Sequence, residues 1–531
     1  MQRWGVHRSI WSHDIKKKSY DVLRRDLSVD TVVVGGGMTG LVTATLLLKG
    51  GKKVVLVTDG EIGHGVTGHS TGHLTQVLDT SFTDLVRRFG EEKIKSVVDS
   101  CGEVITLAEG WARSMGLDCS FRRCPGVKFS ESDRGLESLK DELRWAQRFG
   151  LKVTQMKTNP FPFLISGAVQ FENQAMINPL KFVVGLAEEF NRNGGILFEN
   201  SRVSNVEDGV TTRVHTEFGS VSGHEVVLAT HTPIGVYLSL HTRVAPYFSY
   251  VMGMKLRVAL PEGLYWDTSD PYYYIRPFDA QSGVWIIGGR DHKTGQELYT
   301  HEKYLELEDY CHQHFDVREI LHHWGREVFE PVDGLPYIGK VPFTKNIYTA
   351  TGFSGTGLTY GLLSGKIISD LILNKKNDSS LIFDPARINP MASATSFFKE
   401  NMNAAKWYLS DRLSHHQFNE IELIARNEGR VIDVGEKKLA IYRNENGRIH
   451  ALSALCTHMG GTVHWNSSEK TWDCPCHGGR YRATGEVLEG PLMEDLADVK
   501  LHTEENPDVI DFISEATSPG FSPMPGQLVD N

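Results

Sequence analysis

Two short motifs in the last fifth of the sequence each pair a cysteine with a histidine. Cys456-Thr457-His458 is followed, 15 residues later, by Cys474-Pro475-Cys476-His477, which gives the spacing C-x-H-x15-C-x-x-H. A [2Fe-2S] cluster of the Rieske type takes two thiolates on one iron and two imidazoles on the other. Because each motif supplies one of each, the predicted cluster ligands are Cys456, His458, Cys474 and His477.

The residues around the two motifs suit a cluster held between two loops. Glycines stand at 460, 461, 478 and 479, where backbone must approach a cluster closely. The intervening residues alternate as two strands, Thr462 to Trp465 and Lys470 to Asp473, with a turn at Asn466 to Ser468. The alternative is a Cys2His2 zinc site. It is disfavoured because zinc sites usually draw on C-x2–4-C and H-x3–5-H pairs.

This region resembles the Rieske ferredoxin family. The respiratory members carry a cysteine after the first loop's glycine that bonds to the middle cysteine of the second loop. Here Gly461 takes that place, so we expect Cys476 to be a free thiol. Tyr481 matches a position whose phenol donates a hydrogen bond to a ligand sulfur, whereas Gly479 replaces a serine. The resemblance implies a reduction potential in the lower part of the Rieske range of about −150 to +300 mV.

A second motif lies near the amino end of the chain. The β-branched run Thr31 to Val34 ends in Gly35-Gly36-Gly37-Met38-Thr39-Gly40, passes into the apolar stretch Leu41 to Leu48, and is followed by a second buried run, Val54 to Val57. The glycines fit G-x-G-x-x-G between a strand and a helix, where backbone amides at the helix N-terminus can meet a pyrophosphate. We expect Asp59, or alternatively Thr58, to bind the ribose at the end of the second strand.

Three further stretches select a flavin over a nicotinamide. Gly63 to Gly72, Asp333 to Gly339 and Gly352 to Gly357 resemble the FAD-dependent D-amino-acid oxidase superfamily, the glycine or sarcosine oxidase group, over about residues 28–375. The resemblance implies that FAD is held by Gly35, Gly37, Gly40, Thr58, Asp59, Thr67, His69, Ser70, Gly72, Val203, Gly339, Gly352, Gly355 and Gly357. It also implies that the last turn begins a helix whose positive end lies near the flavin ring and favours its reduction. His69 is expected to line the FAD pocket, with a covalent flavin link as the alternative.

By the same resemblance, the substrate is an amine or amino acid, oxidised at a carbon that bears nitrogen. The candidate wall residues of its pocket are Tyr274, Arg276 and His292. Arg276 could clamp a carboxylate with two hydrogen bonds, although a surface position or a structural ion pair is the alternative. No general base is assigned.

A group of histidines between the two motifs raises another possibility. His312, His314, His322 and His323, with Asp309 and Asp316 nearby, could hold a mononuclear iron and make the chain a Rieske oxygenase. Those enzymes place the iron domain after the Rieske module, whereas here the order is reversed. We therefore interpret these residues as solvated helix histidines.

Composition limits the partners. The chain of 531 residues carries 56 Lys+Arg and 66 Asp+Glu, but from residue 415 onward there are 10 basic and 19 acidic residues. This concentration of negative charge argues against nucleic acid or anionic membrane as a partner there, and favours a basic redox protein. The amino terminus shows no secretory signal, no apolar run is long enough to span a membrane, and the seven cysteines are scattered, so the sequence predicts a cytoplasmic protein.

The predicted fold is a two-lobed α/β FAD-binding unit, with a Rossmann-type βαβ start and a mixed-sheet substrate domain, followed by a small all-β Rieske domain. Helical spacing extends over about residues 84–150, and short strands begin after Ile421. The predicted divisions are an N-terminal extension (1–27), the oxidoreductase unit (28–375), a linker and bridging helix (376–415), the Rieske domain (416–514) and a flexible tail (515–531). FAD-binding segments are expected at about 28–80, 200–235 and 330–375, and substrate-domain segments at about 150–200 and 236–330.

A flavin takes up two electrons at once and a Rieske cluster passes one, so the combination predicts a two-to-one electron converter. The first hypothesis is an FAD-dependent amine or amino-acid dehydrogenase that delivers electrons through its own cluster to an external acceptor. The alternatives are the reverse direction of electron flow, a flavin oxidase that uses oxygen directly, and a redox sensor or electron carrier that turns over no substrate.

Overall fold

The structure is a computed structural model, and it describes residues 7–500 except 14, 16, 236, 280, 389, 414–417 and 435–436. The predicted tail, 515–531, and the first part of the predicted N-terminal extension lie outside the described residues. The helices are α1 (Met38–Lys49), α2 (Phe82–Phe89), α3 (Glu91–Ser114), α4 (Arg134–Arg148), α5 (Pro179–Arg192), α6 (Leu238–His241), α7 (Thr300–His314), α8 (Gly357–Ile372), α9 (Ser380–Phe383) and α10 (Pro390–Leu413).

The strands divide between the two expected units. Those of the first unit are β1 (Leu27–Ser28), β2 (Thr31–Val34), β3 (Val54–Val57), β4 (His73–Leu74), β5 (Arg122–Ser130), β6 (Val153–Gln155), β7 (Gly167–Met176), β8 (Ile196–Phe198), β9 (Val203–Glu207), β10 (Thr212–Thr216), β11 (Ser220–Gly223), β12 (Glu225–Leu228), β13 (Val244–Leu256), β14 (Leu264–Asp267), β15 (Tyr274–Pro277), β16 (Val284–Lys293), β17 (Val317–Pro331), β18 (Tyr337–Lys340) and β19 (Ile347–Thr351). Those of the second are β20 (Glu428–Val434), β21 (Lys437–Arg443), β22 (Ile449–Ser453), β23 (His464–Asn466), β24 (Thr471–Asp473), β25 (Arg480–Arg482) and β26 (Val487–Glu489).

The first unit contains a six-stranded sheet of order β18-β19-β12-β2-β3-β8. Strands β2 and β3 are buried along their whole length and pair in parallel, as expected for β-branched runs covered on both faces. Helix α1 joins them and packs against α8. The predicted βαβ start is therefore confirmed.

A nine-stranded sheet forms the second lobe of this unit, with order β17-β13-β16-β15-β14-β5-β7-β4 and β6 beside β7. Its long antiparallel strands, β13 and β17, pair from Val244 opposite Pro331 to Leu256 opposite Val317, with register shifts after Gly253 and after Lys255. The prediction of continuous helical spacing over about 84–150 is wrong in its middle, because β5 separates α3 from α4. Strand β5 pairs with β7 and buries side chains that include Val127 and Phe129. This pairing within the sheet makes the segment a strand.

The second unit is all-β, as predicted. A three-stranded sheet, β20-β21-β22, packs beside a four-stranded sheet, β23-β24-β25-β26. A core of buried residues joins them, including Trp472 and Tyr481, which have 0% exposed surface. The turn between β23 and β24 brings the two cysteine-histidine motifs to the same end of the domain.

The two units contact each other over several elements. The backbone N–H of Gly235 donates to Pro491 O at 3.2 Å, and Tyr304 donates to Glu469 Oε1 at 2.9 Å. Helix α10 lies between the units: Asn401 donates to Thr242 O at 2.9 Å, and the rings of Trp407 and His464 are 5.3 Å apart. Among the described residues, no helix is both long enough and apolar enough to cross a membrane.

The close contact between α1 and the glycine turn generates a prediction. A Cβ added at Gly40 would lie 1.9 Å from the carbonyl oxygen of Gly35, so Gly40→Ala must push the helix away from the turn. We expect the free energy of unfolding to fall by roughly 1–3 kcal/mol, measured by urea denaturation.

The matched control is Gly110→Ala on α3, where a Cβ meets nothing within 4 Å. This exposed helix position should gain up to about 1 kcal/mol from the better helix propensity of alanine. Equal stability of the two variants would contradict the packing described for α1.

Candidate active site

A cavity of about 640 Å³ lies between the two sheets of the first unit. Its size is within the range typical of small-molecule and cofactor sites. The glycine turn before α1, the ends of β3 and β12, the start of α8 and one face of β17 form most of its wall. Residues 487–490 and 492 of the second unit complete it, so the cavity is built by both units.

The end of the cavity beside α1 fits a pyrophosphate. Gly35 has φ +117°, and a Cβ there would lie 2.3 Å from the carbonyl oxygen of Ala229. Gly37 caps α1, and a Cβ on it would approach the Thr67 hydroxyl at 3.0 Å. The turn therefore leaves bare backbone against the cavity at a helix N-terminus, which is where a dinucleotide's phosphates bind.

Both candidates for the ribose contact line the cavity at the end of β3. Asp59 Oδ1 lies 3.1 Å from His64 Nε2, and Thr58 is buried next to it. Because both residues line the cavity, both stay predicted ribose contacts.

The other predicted FAD-binding residues divide into two groups. Those that line the cavity are Gly35, Gly37, Thr67, His69, Ser70, Val203, Gly355 and Gly357. Four do not line it and pack against protein instead, Gly40 against Gly35, Gly72 against Ile177, Gly339 against Pro385, and Gly352 against Pro331, so their contact with FAD stays a prediction. These four glycines lie behind the residues that form the cavity wall.

His69 lies in the wall between the two units. Its Nδ1 is 3.1 Å from the carbonyl oxygen of Gly65. Burial, reinforced by the nearby Arg326 guanidinium, lowers the pKa of His69 to about 3, so the imidazole is neutral. A pocket-lining role is consistent with this environment, while covalent attachment stays the untested alternative.

The start of α8 already faces an anion of the protein itself. The Asp79 carboxylate accepts hydrogen bonds from the backbone N–H of Gly355 and, at 2.8 Å, from the Tyr272 hydroxyl. The positive helix end that the family resemblance implies for the flavin is therefore partly compensated by Asp79.

Two of the three candidate wall residues, Arg276 and His292, do not line the cavity. Arg276 has 1% exposed surface and does not line the cavity, because its guanidinium donates to the carbonyl oxygens of Thr71, Gly72, Ile177, Pro277 and Phe278. Arg276 therefore holds neighbouring backbone segments together, and none of its N–H groups is directed at a substrate. His292 also lies outside the wall, since its Nε2 pairs with the Tyr250 hydroxyl at 2.9 Å.

Tyr274 does line the cavity. Its hydroxyl is 2.6 Å from Ser249 Oγ, which donates to Asp291 Oδ1 at 2.5 Å. Sequence reasoning missed Asp291 and Ser249. They come from β16 and β13, which only the antiparallel pairing of those strands brings beside Tyr274.

The two cysteine-histidine loops have the same backbone geometry. In the first loop Cys456 N donates to Gly461 O at 2.8 Å and Gly460 N donates to Cys456 O at 2.8 Å. In the second loop Cys474 and Gly478 repeat both bonds, at 2.7 Å to Gly479 O and 3.2 Å to Cys474 O. Gly460 and Gly478 both have φ +71°. The two loops therefore share one backbone conformation, and they face each other.

The space between the two loops stays open for a cofactor only because Gly461 and Gly479 have no side chain. A Cβ on Gly461 would lie 3.3 Å from Cys474 Sγ, and one on Gly479 would lie 3.2 Å from Cys456 Sγ. The Tyr481 hydroxyl lies 3.4 Å from Cys456 Sγ, the contact that the family resemblance implies. The four predicted ligands are therefore brought together in a cradle that fits a [2Fe-2S] cluster.

The predicted histidine ligands are neutral and available. The ring centroids of His458 and His477 are 5.1 Å apart, and His458 Nε2 is buried with no hydrogen-bond partner among the described residues. Burial lowers the pKa of His458 to about 3 and that of His477 to about 4. Neutral imidazoles are the form that binds iron.

The expected free thiol is confirmed. Cys476 forms no disulfide, and the position opposite its Sγ is Gly461, whose added Cβ would lie 2.9 Å away.

The histidines proposed as an alternative iron site do not converge. Within the described part of the chain, no group of three or more His, Cys, Asp or Glu side chains could hold a single metal ion. His314 on α7 pairs with Glu131 at 2.9 Å. His322 and His323 lie on β17, so the prediction that they are helix residues is wrong.

A buried ion network joins the two units at the cavity wall. Glu489 of β26 accepts from Arg480 at 2.6 Å within its own domain, and its other oxygen lies 2.8 Å from Arg326 of β17. Burial raises the pKa of Glu489, but the two guanidiniums outweigh it and hold the pKa below the usual value. None of these residues carries a motif, so no signal in the sequence pointed to them.

The family described as DAO, FAD dependent oxidoreductase, matches residues 30–371. The chain belongs to this family. The family described as Rieske [2Fe-2S] domain matches residues 417–500. The cofactors are accordingly FAD and a [2Fe-2S] cluster, and the protein is an FAD-dependent oxidoreductase with a C-terminal Rieske domain.

Relatives of this oxidoreductase include one protein with both units. YhfW of Bacillus subtilis (strain 168), named as a Rieske 2Fe-2S iron-sulfur protein, is 27% identical over 499 residues, which cover 92% of this chain and 97% of YhfW. Gamma-glutamylputrescine oxidoreductase of Escherichia coli (strain K12) is 24% identical over 67% of this chain and 86% of its own length.

Among solved structures, glycine oxidase from Geobacillus kaustophilus matches with a TM-score of 0.57 and 18% identity, over 68% of this chain and 99% of that protein. L-proline dehydrogenase from P. horikoshii matches with a TM-score of 0.56 and 18% identity, over 70% and 98%. These structures share the fold of the first unit.

The contact between Tyr481 and Cys456 yields a testable consequence for the cluster. A hydrogen bond to a ligand sulfur stabilises the reduced form. Tyr481→Phe should therefore lower the midpoint potential by about 60 mV, the one-electron equivalent of about 1.4 kcal/mol, in a potentiometric titration followed by EPR.

Tyr442→Phe is the matched control, because the Tyr442 hydroxyl lies 3.3 Å from Asn427 in the same domain and contacts neither loop. Its potential should equal that of the unaltered protein. An unchanged potential in Tyr481→Phe would show that the 3.4 Å contact carries no hydrogen bond to the loaded cluster.

Proposed function

We propose that the protein oxidises an amine or amino acid at its FAD and passes the electrons one at a time through its own cluster to an external acceptor. The single observation that supports this most is that the Rieske domain supplies part of the wall of the flavin cavity, at Val487, Leu488 and Glu489. When bound, FAD takes up two electrons and the cluster carries one.

The histidine side of the cluster site faces the first unit. The ring of His241, at the end of α6, is 4.8 Å from the ring of His458 in an edge-on contact and 6.3 Å from that of His477. His241 Nε2 is held 2.9 Å from the carbonyl oxygen of Pro233, next to the cavity-lining Ile234. This chain of contacts connects the predicted iron ligands with the flavin cavity through protein alone.

The interface holds this arrangement in place. Arg202 pairs with Asp495 at 2.6 Å, and the Gln296 amide donates to Pro475 O at 3.2 Å beside the second cluster loop. The guanidinium of Arg480 lies 4.5 Å from the centre of the Phe248 ring. Contacts on both sides of the loops resist rotation of the Rieske domain.

An external acceptor would have to reach the cluster from a side that the first unit does not cover. The first loop offers one, because Leu455 and Met459, on either side of its predicted ligands, are 47% and 42% exposed. The excess of acidic residues after residue 415 supports a basic redox protein as the acceptor.

Relatives support the substrate class. Gamma-glutamylputrescine oxidoreductase and glycine oxidase are named for a compound with an amine nitrogen. We propose that this oxidoreductase likewise oxidises its substrate at a carbon that bears nitrogen.

An anaerobic experiment tests the proposal. The loaded protein is mixed with a panel of amines and amino acids, and flavin and cluster absorption are followed together. We expect flavin bleaching by at least one compound, then cluster reduction in a slower phase. No bleaching by any organic reductant would contradict an enzymatic role and support a redox carrier.

His477→Ala tests the exit route, because it removes one predicted ligand and with it the cluster. The variant should keep amine-driven flavin bleaching but lose more than about 90% of the reduction of a one-electron acceptor such as ferricenium. His450→Ala in the same domain is the control. Fast peroxide formation by His477→Ala, in proportion to substrate, would identify oxygen as the true oxidant.

A further inference from the structure

We propose that the substrate of this cavity is a cationic amine without a free carboxylate beside the reacting nitrogen. The proposal rests on the proposed function and narrows its substrate class. It is carried by four carboxylates, Asp79, Asp270, Asp291 and Glu330, that line the substrate end of the cavity and have no ion-pair partner among the described residues.

Glu330 is directed into the cavity. It lies on β17, lines the wall and is enclosed by protein on nearly all sides, yet no residue of the described chain donates a hydrogen bond to its carboxylate. A buried carboxylate without a donor is costly unless a ligand supplies one. An ammonium group, which carries both the donors and the opposite charge, would meet that need.

Asp79 and Asp291 stand on the neighbouring walls. Asp79 keeps a large surface that is accessible to the cavity, although protein surrounds it, and its bonded partners, the Tyr272 hydroxyl and Gly355 N–H, are neutral. Asp291 receives only the neutral hydroxyl of Ser249. Neither carboxylate forms an ion pair with a described residue, although the start of α8 and the nearby Lys128 offset part of the Asp79 charge.

Aromatic rings complete the fit to a cation. Tyr272 and Tyr274 are in edge-on contact with centroids 5.8 Å apart, and both line the cavity between Asp79 and Asp291. Burial raises the pKa of both phenols above their usual value, so they stay neutral. Ring faces beside carboxylates are the combination that binds ammonium groups.

A substrate carboxylate has no matching donor at this end. Arg276 is fully used by carbonyl oxygens, and Arg326 pairs with Glu489 on the Rieske side of the cavity. Lys128 also lines the cavity, but its ammonium group lies 3.7 Å from Glu142. One lysine with its own partner stands against four acidic groups, so among the described residues a substrate carboxylate meets no free cationic donor at this end.

The direct test is a binding titration of the FAD-loaded protein, followed by the flavin absorption spectrum. Tetramethylammonium chloride is the cationic probe, and it tests the charge alone because it has no N–H donor. Sodium acetate is the anionic probe, with sodium chloride to match ionic strength. We expect a saturable spectral change with tetramethylammonium and none with acetate. At about pH 9, where both carboxyls are ionised, Asp291→Asn and Glu330→Gln should each weaken the binding about tenfold.

Asp118→Asn is the matched control, since Asp118 is 90% exposed, lies outside the cavity and loses the same charge. Its affinity for tetramethylammonium should not change. Saturable binding of acetate without binding of tetramethylammonium would overturn the proposal. So would undiminished tetramethylammonium binding in Asp291→Asn and Glu330→Gln.

The pH dependence of the unaltered protein keeps the test decisive if the variants fold poorly. Burial raises the pKa of Asp291 to about 7 and that of Glu330 to about 8. The groups that face Asp291 are Asp79, Asp270, Glu330, Tyr272, Tyr274 and, beside Asp79, Lys128. Below its pKa each carboxyl is neutral and attracts a cation weakly. Tetramethylammonium should therefore bind more tightly as pH rises from 6 to 8, and constant or falling affinity would contradict the proposal.

The panel of amines and amino acids distinguishes failure of the proposed function from failure of the proposed substrate class. Flavin bleaching by cationic amines and not by amino acids supports both the function and the substrate class. Bleaching by amino acids alone overturns the substrate class and leaves the function. Tetramethylammonium binding with no bleaching by any amine removes the function, while the cation site stands.

Discussion

The interaction on which the rest of the structure depends is the buried contact of Glu489 with Arg326 and Arg480. Buried charges are costly to desolvate, and they persist where each has a partner in good geometry. Here Glu489 has one cationic partner in each unit, so both guanidiniums stand beside the carboxylate only when the Rieske domain is docked. Docking also packs Gly478 against Glu327, and burial raises the pKa of Glu327.

Two consequences follow from this fixed docking. The Rieske domain becomes part of the flavin cavity, and its histidine loops are turned towards His241 of the first unit. The absence of a disulfide opposite Cys476 fits this arrangement, because the loops are supported from outside. Gly478 packs against Glu327 and Pro246 of the first unit so closely that an added Cβ would lie 2.4 Å from the Glu327 carboxylate.

The sequence predicted those parts of the site that depend on local spacing. The two cluster loops and the glycine turn are each defined within about ten residues, and backbone geometry follows directly from glycine at those positions. Residues that depend on distant pairing were not predictable. Arg276 looked like a carboxylate clamp on its strand, yet five carbonyl oxygens from neighbouring segments receive its donors. Asp291 and Glu330 were invisible because only the pairing of β13 with β16 and β17 brings them to one cavity.

The central claim is that the docked cluster takes its electrons from the flavin of the same chain. Flash photoreduction of the flavin in the loaded full-length protein, with cluster reduction followed over a range of protein concentrations, tests it without any substrate. The account predicts a first-order rate that does not change with concentration, since both sites are joined within one molecule. A rate that rises in proportion to concentration, or a cluster that stays oxidised beside a reduced flavin, would contradict it.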